Sequence, residues 1–341
     1  MRVPADSPWT LERAELGRRL FYDRRLSGNE TQSCGSCHQQ SRAFTDGRAQ
    51  ALGSTGEVHP RAAMGLTNVG YFSALTWASN IVRTLEAQAL LPMFGESPVE
   101  LGLAGREAEL LGRLRADAEY PAMFARAFLG DASPISVANI TRAIASFERS
   151  LLSADSAFDR DQRGDRTAMS PAAQRGRALF FSERLECFHC HGGFNFSDSV
   201  THAGLAFDET AFHNTGLYNV GGTGAYPAPN TGLHAQTGDP ADMGRFRAPT
   251  LRNIAVTAPY MHDGSIATLE AVVDFYAAGG RNITAGPNAG DGRANPNKSG
   301  FVQGFAVTAE ERADLVAFLN ALTDPRFLTD PRYSDPFGNE R

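Results

Sequence analysis

The sequence predicts a mainly α-helical protein of two similar lobes with long connecting loops, and three observations carry that expectation. All four cysteines fall in two Cys-x-x-Cys-His units, "CGSCH" at 34 to 38 and "CFHCH" at 187 to 191. Each unit follows the same lead-in, with a Ser-Pro, a short helical pattern and a Leu-Phe pair, in "SPWTLERAELGRRLFYDRRLSG" and again in "SPAAQRGRALFFSERLECFHCH". A repeat of that kind implies two copies of one supersecondary plan. The other periodic segments are helical, and no alternation of strands and helices suggests a doubly wound sheet.

The elements follow in chain order. Leu11, Leu16, Leu20 and Phe21 define the first helix, which "SG" at 27 to 28 terminates. Between the two units lie "TLEAQALL", "REAELLGRLRADAEYPAMFARAFLG" and "SVANITRAIASFERSLLS", the last with Val137, Ile140, Ile144, Phe147 and Leu151 on its apolar side. The charged stretch at about 159 to 168 reads as a linker, dividing an N-terminal lobe, 1 to 158, from a C-terminal lobe, 169 to 341. Residues 192 to 250 are rich in Gly, Pro and Asn and hold few periodic segments. Two late helices, "TLEAVVDFYAA" and "TAEERADLVAFLNAL", complete the chain, and a Thr308 to Glu311 capping box opens the second.

With 341 residues, 42% hydrophobic and 21% charged, the chain is globular and long enough for two lobes. A net charge of -6 without a Lys/Arg block argues against nucleic acid or an anionic membrane as partner. No segment reaches the roughly 20 apolar residues of a membrane span, and "MRVPADSPWTLERAELGRRLF" is too polar for a secretory apolar core.

Four cysteines in this pattern admit disulfides, a redox dithiol, zinc or haem. Zinc would gather Cys34, Cys37, Cys187 and Cys190 and leave the adjoining histidines incidental. A dithiol belongs at a helix start in a βαβ setting, which is lacking. Covalent haem uses every residue of the unit: two thiols capture the porphyrin vinyl groups and the adjacent histidine reaches the iron. The expected cofactors are therefore two c-type haems, held by Cys34, Cys37 and His38 and by Cys187, Cys190 and His191.

At this point the chain resembles the bacterial di-haem cytochrome c peroxidase and MauG superfamily, over nearly its whole length. The matching stretches include "LGRRLFYDRRLSG", "LTWASNIVRTLEAQALLPMFGESPVELG", "CFHCHGGFNFSDS", "FHNTGL" and "FRAPTLRNIAVTAPYMHDGSIATLE". The resemblance implies two cytochrome c-like lobes in a periplasmic or exported protein whose signal peptide is absent from this sequence. It also implies a peroxide-reacting haem one on His38 and an electron-transferring haem two on His191.

The residue that selects a branch is Tyr276. Leu269, Val272, Val273 and Tyr276 share one helix face, so by periodicity alone Tyr276 is a core tyrosine. By resemblance it occupies the axial position on haem iron two, where ordinary di-haem peroxidases carry methionine and MauG-type enzymes, including MbnH, carry tyrosine. A phenolate favours ferric and higher iron, unlike a thioether. The implied activity is peroxide-driven formation of a bis-Fe(IV) state that oxidises tryptophan on a partner protein, to kynurenine in the MbnH case. The alternatives are a di-haem cytochrome c peroxidase drawing electrons from a small redox protein, and a non-catalytic di-haem electron carrier.

The resemblance assigns further residues. Trp77 matches the tryptophan between the haems. Gln88, Pro92 and Glu100 match the distal residues of haem one, with Glu100 as acid and base toward peroxide and Glu96 as its competitor. Read alone, either glutamate is a solvated loop charge. His59 lies where some peroxidases supply a histidine that closes haem one. Asn68, Thr257 and Pro259 match a calcium site, hard oxygen ligands that calcium accepts. His213 and His262 read as hydrogen-bonding neighbours of a site or as loop anchors, His189 as an outward neighbour of the haem, and His202, His234 and Trp9 as structural or surface residues.

Overall fold

The structure is a computed structural model, and it describes residues 1–208 and 210–338. The described residues form α1 (Leu11–Tyr22), α2 (Cys34–Cys37), α3 (Leu85–Phe94), α4 (Glu107–Arg115), α5 (Tyr120–Ala127), α6 (Val137–Ser150), α7 (Ala157–Gln162), α8 (Pro171–Phe180), α9 (Cys187–His191), α10 (His234–Thr237), α11 (Leu269–Ala277) and α12 (Ala309–Asn320). A two-stranded antiparallel ribbon, β1 (Asn282–Ile283) and β2 (Gly290–Asp291), is the named sheet among them. The fold is mainly α, as the periodicity predicts. Hydroxyl N-caps start the main helices: Thr10, Thr84, Ser136, Ser170, Thr268 and Thr308 each accept the backbone N–H three residues on.

Two apolar cores correspond to the two halves of the repeat. Leu16, Leu20, Phe21, Phe44, Phe124 and Phe147 build the first; Phe180, Phe196, Val273, Leu315 and Phe318 build the second. In the first, α1 packs along α6; in the second, α8 packs along α12. One residue sets each crossing. A Cβ on Gly17 would lie 1.8 Å from the Ala143 carbonyl oxygen, and one on Gly176 would lie 1.9 Å from that of Asp314. The shared "G-R-x-L-F" of the two lead-ins thus records a shared helix contact at backbone distance, which no side chain at that position would permit.

Three expectations need correction. The long stretch 106 to 130 breaks into α4 and α5, because Asp117 Oδ1 accepts the N–H groups of Glu119 and Tyr120 and opens a new helix. The linker at 159 to 168 begins as helix: Ser156 and Asp159 form a capping box for α7, and buried Arg252 holds Asp159 through two bonds of 2.8 and 2.9 Å. A charge-rich segment read as a linker is here anchored by a buried ion pair. Packing also crosses the division between lobes, since Phe327 and Tyr333 belong to the first core and Ala78 to the second.

Gly176→Ala is expected to lower the unfolding free energy by about 1–3 kcal/mol, because the added methyl must separate α8 from α12. Thermal denaturation of the holoprotein checks this; an unchanged midpoint would show that the crossing tolerates the methyl.

Candidate functional site

Each Cys-x-x-Cys turn opens onto its own cavity. The first is lined by Cys34, Cys37 and His38 from α2 and its C-terminal end, His59 and Glu100 from loops, Gln88 and Pro92 from α3, and Glu148 from α6. The second encloses about 1580 Å³ with its mouth included, and is lined by Cys187, Cys190, His191, Trp77, Arg247, His262 and Tyr276 among mostly apolar neighbours. The two thiol pairs therefore do not share a site. All four thiols are unbridged, and none of the ligand clusters among the described residues joins the pairs. Burial pushes the Cys37 thiol up to about 11 and Cys187 to about 12, the opposite of the lowered value a redox dithiol needs.

The two histidines are held in the same way. His38 Nδ1 bonds the Phe44 carbonyl at 2.7 Å, and His191 Nδ1 bonds the Phe196 carbonyl at 3.1 Å. Both phenylalanines have left-handed backbone, φ 65° and 50°, which turns the chain back over the ring. With Nδ1–H donating to a carbonyl, Nε2 carries the lone pair toward the cavity, the orientation a metal-binding imidazole needs. Burial also lowers the pKa of both rings, favouring the neutral form.

The second cavity contains a buried cation that forms no ion pair among the described residues, Asp198 acting on it only from beyond contact while paired with His213. Arg247 is 3% exposed, with Nε on the Thr76 carbonyl at 3.3 Å, its guanidinium over the Phe72 ring at 4.0 Å, and Nη1 without a hydrogen-bond partner. Burial pushes it down to about 9. His262 stacks on Phe246 at 3.7 Å and its buried Nε2 is also unpartnered. An isolated buried cation is unfavourable unless a counter-charge joins it. An apolar macrocycle carrying propionates fits both the lining and this cation. In the first cavity the unsatisfied group is Glu148, whose Oε2 is buried without a partner and whose carboxyl burial pushes up to about 8. Its neighbour Arg149 is already committed to Glu86 through bonds of 2.8 and 2.9 Å.

The residues expected on the open face of haem one converge. Gln88 and Pro92 sit four apart on α3 and so share a face. Glu100 lines the cavity, whereas Glu96 is exposed and outside the lining. Burial raises the Glu100 pKa. His59 stands 3.7 Å from it, Nε2 to Oε1, while its Nδ1 accepts the Arg61 N–H at 3.2 Å.

Around haem two, Tyr276 presents its ring from α11 to the cavity, and its hydroxyl makes no hydrogen bond among the described residues. Burial, then the two nearby thiols, raises its pKa, so a bound ferric ion would be needed to hold it as phenolate. Trp77 lines the same cavity and donates from Nε1 to the Ala62 carbonyl at 2.9 Å; the Ala62 N–H in turn donates to the His262 carbonyl. His213 pairs with Asp198 at 2.5 Å beside Cys190; burial opposes its charge, yet Asp198 holds it up at about 10. His189 is stacked on Phe301 and pairs with Glu186 at 2.7 Å, at the cavity rim.

Of the residues expected to hold calcium, Thr257 donates its hydroxyl to the Ile254 carbonyl. Asn68 is buried, donates to the Ser153 carbonyl and Asn195 Oδ1, and accepts the Ser153 N–H on its own Oδ1. His202 and His234 make local backbone bonds, and Trp9 is 46% exposed with Nε1 on the Ser146 carbonyl. Sequence reasoning missed Glu148 and Arg247. Glu148 had a signal: it lies four residues after Ile144 and three before Leu151, a carboxylate on the apolar face of its helix.

Comparison with known proteins accords with this geometry. A family model described as di-haem cytochrome c peroxidase matches residues 11–167. The chain is 38% identical to cytochrome-c peroxidase IdrP1 of Denitromonas iodatirespirans, over 97% of this chain and 87% of that protein. It is 32% identical to methylamine utilization protein MauG of Methylorubrum extorquens, over 96% and 83% of the two. The crystal structure of a MauG-like protein associated with microbial copper homeostasis matches with a TM-score of 0.96 and 53% identity, covering 98% of this chain and 96% of that one. The chain therefore belongs to the di-haem cytochrome c peroxidase and MauG superfamily, as a haem-dependent oxidoreductase that uses peroxide.

Proposed function

We propose that this enzyme spends hydrogen peroxide at haem one and, through haem two, oxidises a tryptophan of a partner protein in the manner of MauG. The observation that carries this reading is Tyr276, turned into the same cavity as His191 with no hydrogen bond to another described residue. A phenolate at that iron lowers its readiness to become ferrous and favours holding oxidising equivalents, which suits long-range oxidation better than repeated uptake of electrons from a carrier. The 53% identity to the MauG-like protein supports the same choice.

Once attached, the haems supply peroxide reduction and storage of two oxidising equivalents. The chain supplies the rest. Glu100 takes a proton from entering peroxide and returns it to the leaving oxygen, and burial raises its pKa, which favours the return of the proton. Pro92 and Gln88 wall that face. His38 and His191, each bonded through Nδ1 to a carbonyl, would hold the two irons through Nε2. Trp77, fixed by its bond to Ala62, lines the haem-two cavity and would relay charge from a haem bound there. The reading places the protein in the periplasm or outside the cell; no described helix is long and apolar enough to cross a membrane. It also includes calcium, on the remaining lone pair of Asn68 Oδ1 and the main-chain carbonyls of Thr257 and Pro259, which accept no hydrogen bond among the described residues.

The runner-up, a peroxidase fed by a small redox protein, draws on one contact. His59 reaches into the haem-one cavity beside Glu100, where it could close the iron until activation, and the relative IdrP1 carries the peroxidase name.

With peroxide and either reduced small cytochrome or periplasmic proteins offered as electron source, oxidised tryptophan detected by mass spectrometry is expected. Tyr276→Met should abolish it and raise the potential of haem two in spectroelectrochemistry. Rapid cytochrome oxidation with no tryptophan product would favour the runner-up. Glu100→Gln should slow the stopped-flow reaction with peroxide by about 10²–10⁴-fold, while Glu96→Gln leaves it unchanged; the reverse pattern would move the acid-base role to Glu96. Chelator-treated holoprotein should bind calcium in calorimetry and lose that binding in Asn68→Ala; no binding would remove the ion from the account.

A further inference from the structure

Oxidation at a distance needs a route out of the haem-two cavity, and two tyrosines in ring contact, one lining the cavity and one behind it, have different surroundings. Tyr226 lines the cavity, and its ring centroid is 5.4 Å from that of Tyr218, in an edge-on contact. Tyr226 also lies 6.1 Å from Phe246 and 6.4 Å from His262, so it joins the aromatic group bordering the cavity. Its hydroxyl donates to Asn214 Oδ1 at 2.8 Å and accepts the Leu217 N–H. An amide oxygen is a poor base, so oxidation of Tyr226 would leave its proton without an acceptor.

Tyr218 has such an acceptor. Its hydroxyl donates to Asp263 Oδ2 at 2.7 Å, and Arg281 lies over the ring at 4.5 Å. Asp263 Oδ1 accepts the N–H of Ser265, which is solvent-exposed, and Arg281 Nη1 bonds the Ser265 hydroxyl at 2.9 Å. The phenol, the carboxylate and the guanidinium thus form one connected group that starts at the second ring from the haem-two cavity and ends at the surface. Although burial works the other way, the hydrogen bonds from Tyr218 and Ser265 hold Asp263 below the usual carboxylate range, so it is ionised and can accept a proton.

We propose that Tyr218, with Asp263 as its proton acceptor, is a redox relay that passes oxidising equivalents from the haem-two cavity to the protein surface. The inference rests on the preceding reading that peroxide-derived oxidation reaches haem two. In one step Tyr218 loses an electron through Tyr226 into the cavity and its phenolic proton to Asp263, leaving a neutral tyrosyl radical and a protonated carboxyl. In the next, an electron from an oxidisable aromatic side chain of a docked protein reduces the radical, and Asp263 returns the proton. Two such cycles deliver both oxidising equivalents of one peroxide. Tyr226 serves as bridging medium only, since its hydroxyl faces no base.

The test is freeze-quench electron paramagnetic resonance and optical spectroscopy of the holoprotein after one equivalent of hydrogen peroxide without a protein partner, in wild type, Tyr218→Phe and Asp263→Asn. Oxidation of both haems should form in all three proteins. As it decays, wild type should show a tyrosyl signal that is lost in Tyr218→Phe and strongly reduced in Asp263→Asn, with decay slowed several-fold in both. Ring-deuterated tyrosine should narrow the wild-type signal, which a radical on tryptophan or porphyrin would not show. Identical decay and signal in wild type and Tyr218→Phe would overturn the relay and leave the functional reading intact. If haem two is never oxidised in wild type, that reading fails and the relay with it.

Discussion

The bond from a ring Nδ1–H to the carbonyl of a left-handed phenylalanine organises both halves of this molecule. It fixes His38 and His191 in the same tautomer and orientation, and it requires the chain to reverse sharply at Phe44 and Phe196. The reversal holds each histidine against its own cavity, where desolvation favours the neutral ring. The close helix crossings at Gly17 and Gly176 then close each core behind the turn. A histidine free to rotate would present either nitrogen, and both cavities would lose the property that makes them haem sites.

From that shared frame the two cavities diverge in chemistry. The first combines carboxylates with a proline-walled face: Glu100 near His59, and Glu148 buried with one oxygen lacking a hydrogen-bond partner. The second is largely apolar, with one buried guanidinium at Arg247 and a phenol at Tyr276. The first set suits proton movement around a small oxygen ligand, and the second suits holding charge on a ligand already in place. Buried polar groups with no protein partner are unfavourable in isolation, so their concentration in both cavities is informative about what fills them.

Much of this was legible in the sequence, unevenly. The Cys-x-x-Cys-His units and their repeated lead-in marked both haem turns, because covalent attachment and iron ligation must be local in sequence. Tyr276 was legible as a buried-face residue by periodicity, and only resemblance gave it a role. Trp77, Gln88, Pro92 and Glu100 carry no local signal, since cavity walls are assembled from segments whose spacing has no physical rule. Arg247 and Tyr218 were hidden for the same reason: their meaning lies in Phe72, Asp263 and Arg281, all distant in the chain. The charged stretch after residue 158 misled because a carboxylate looks solvated until its partner, Arg252, is known.

The central claim is that haem two is held by His191 and Tyr276 and shares oxidation with an open haem one. Electron paramagnetic resonance and optical spectra of the ferric protein, before and after one equivalent of hydrogen peroxide, test it most directly. The account predicts one high-spin and one low-spin haem that convert together to a state in which both haem signals are lost, with new near-infrared absorbance. Two low-spin haems that ignore peroxide until one is reduced would contradict it, and would assign His59 to the iron of haem one.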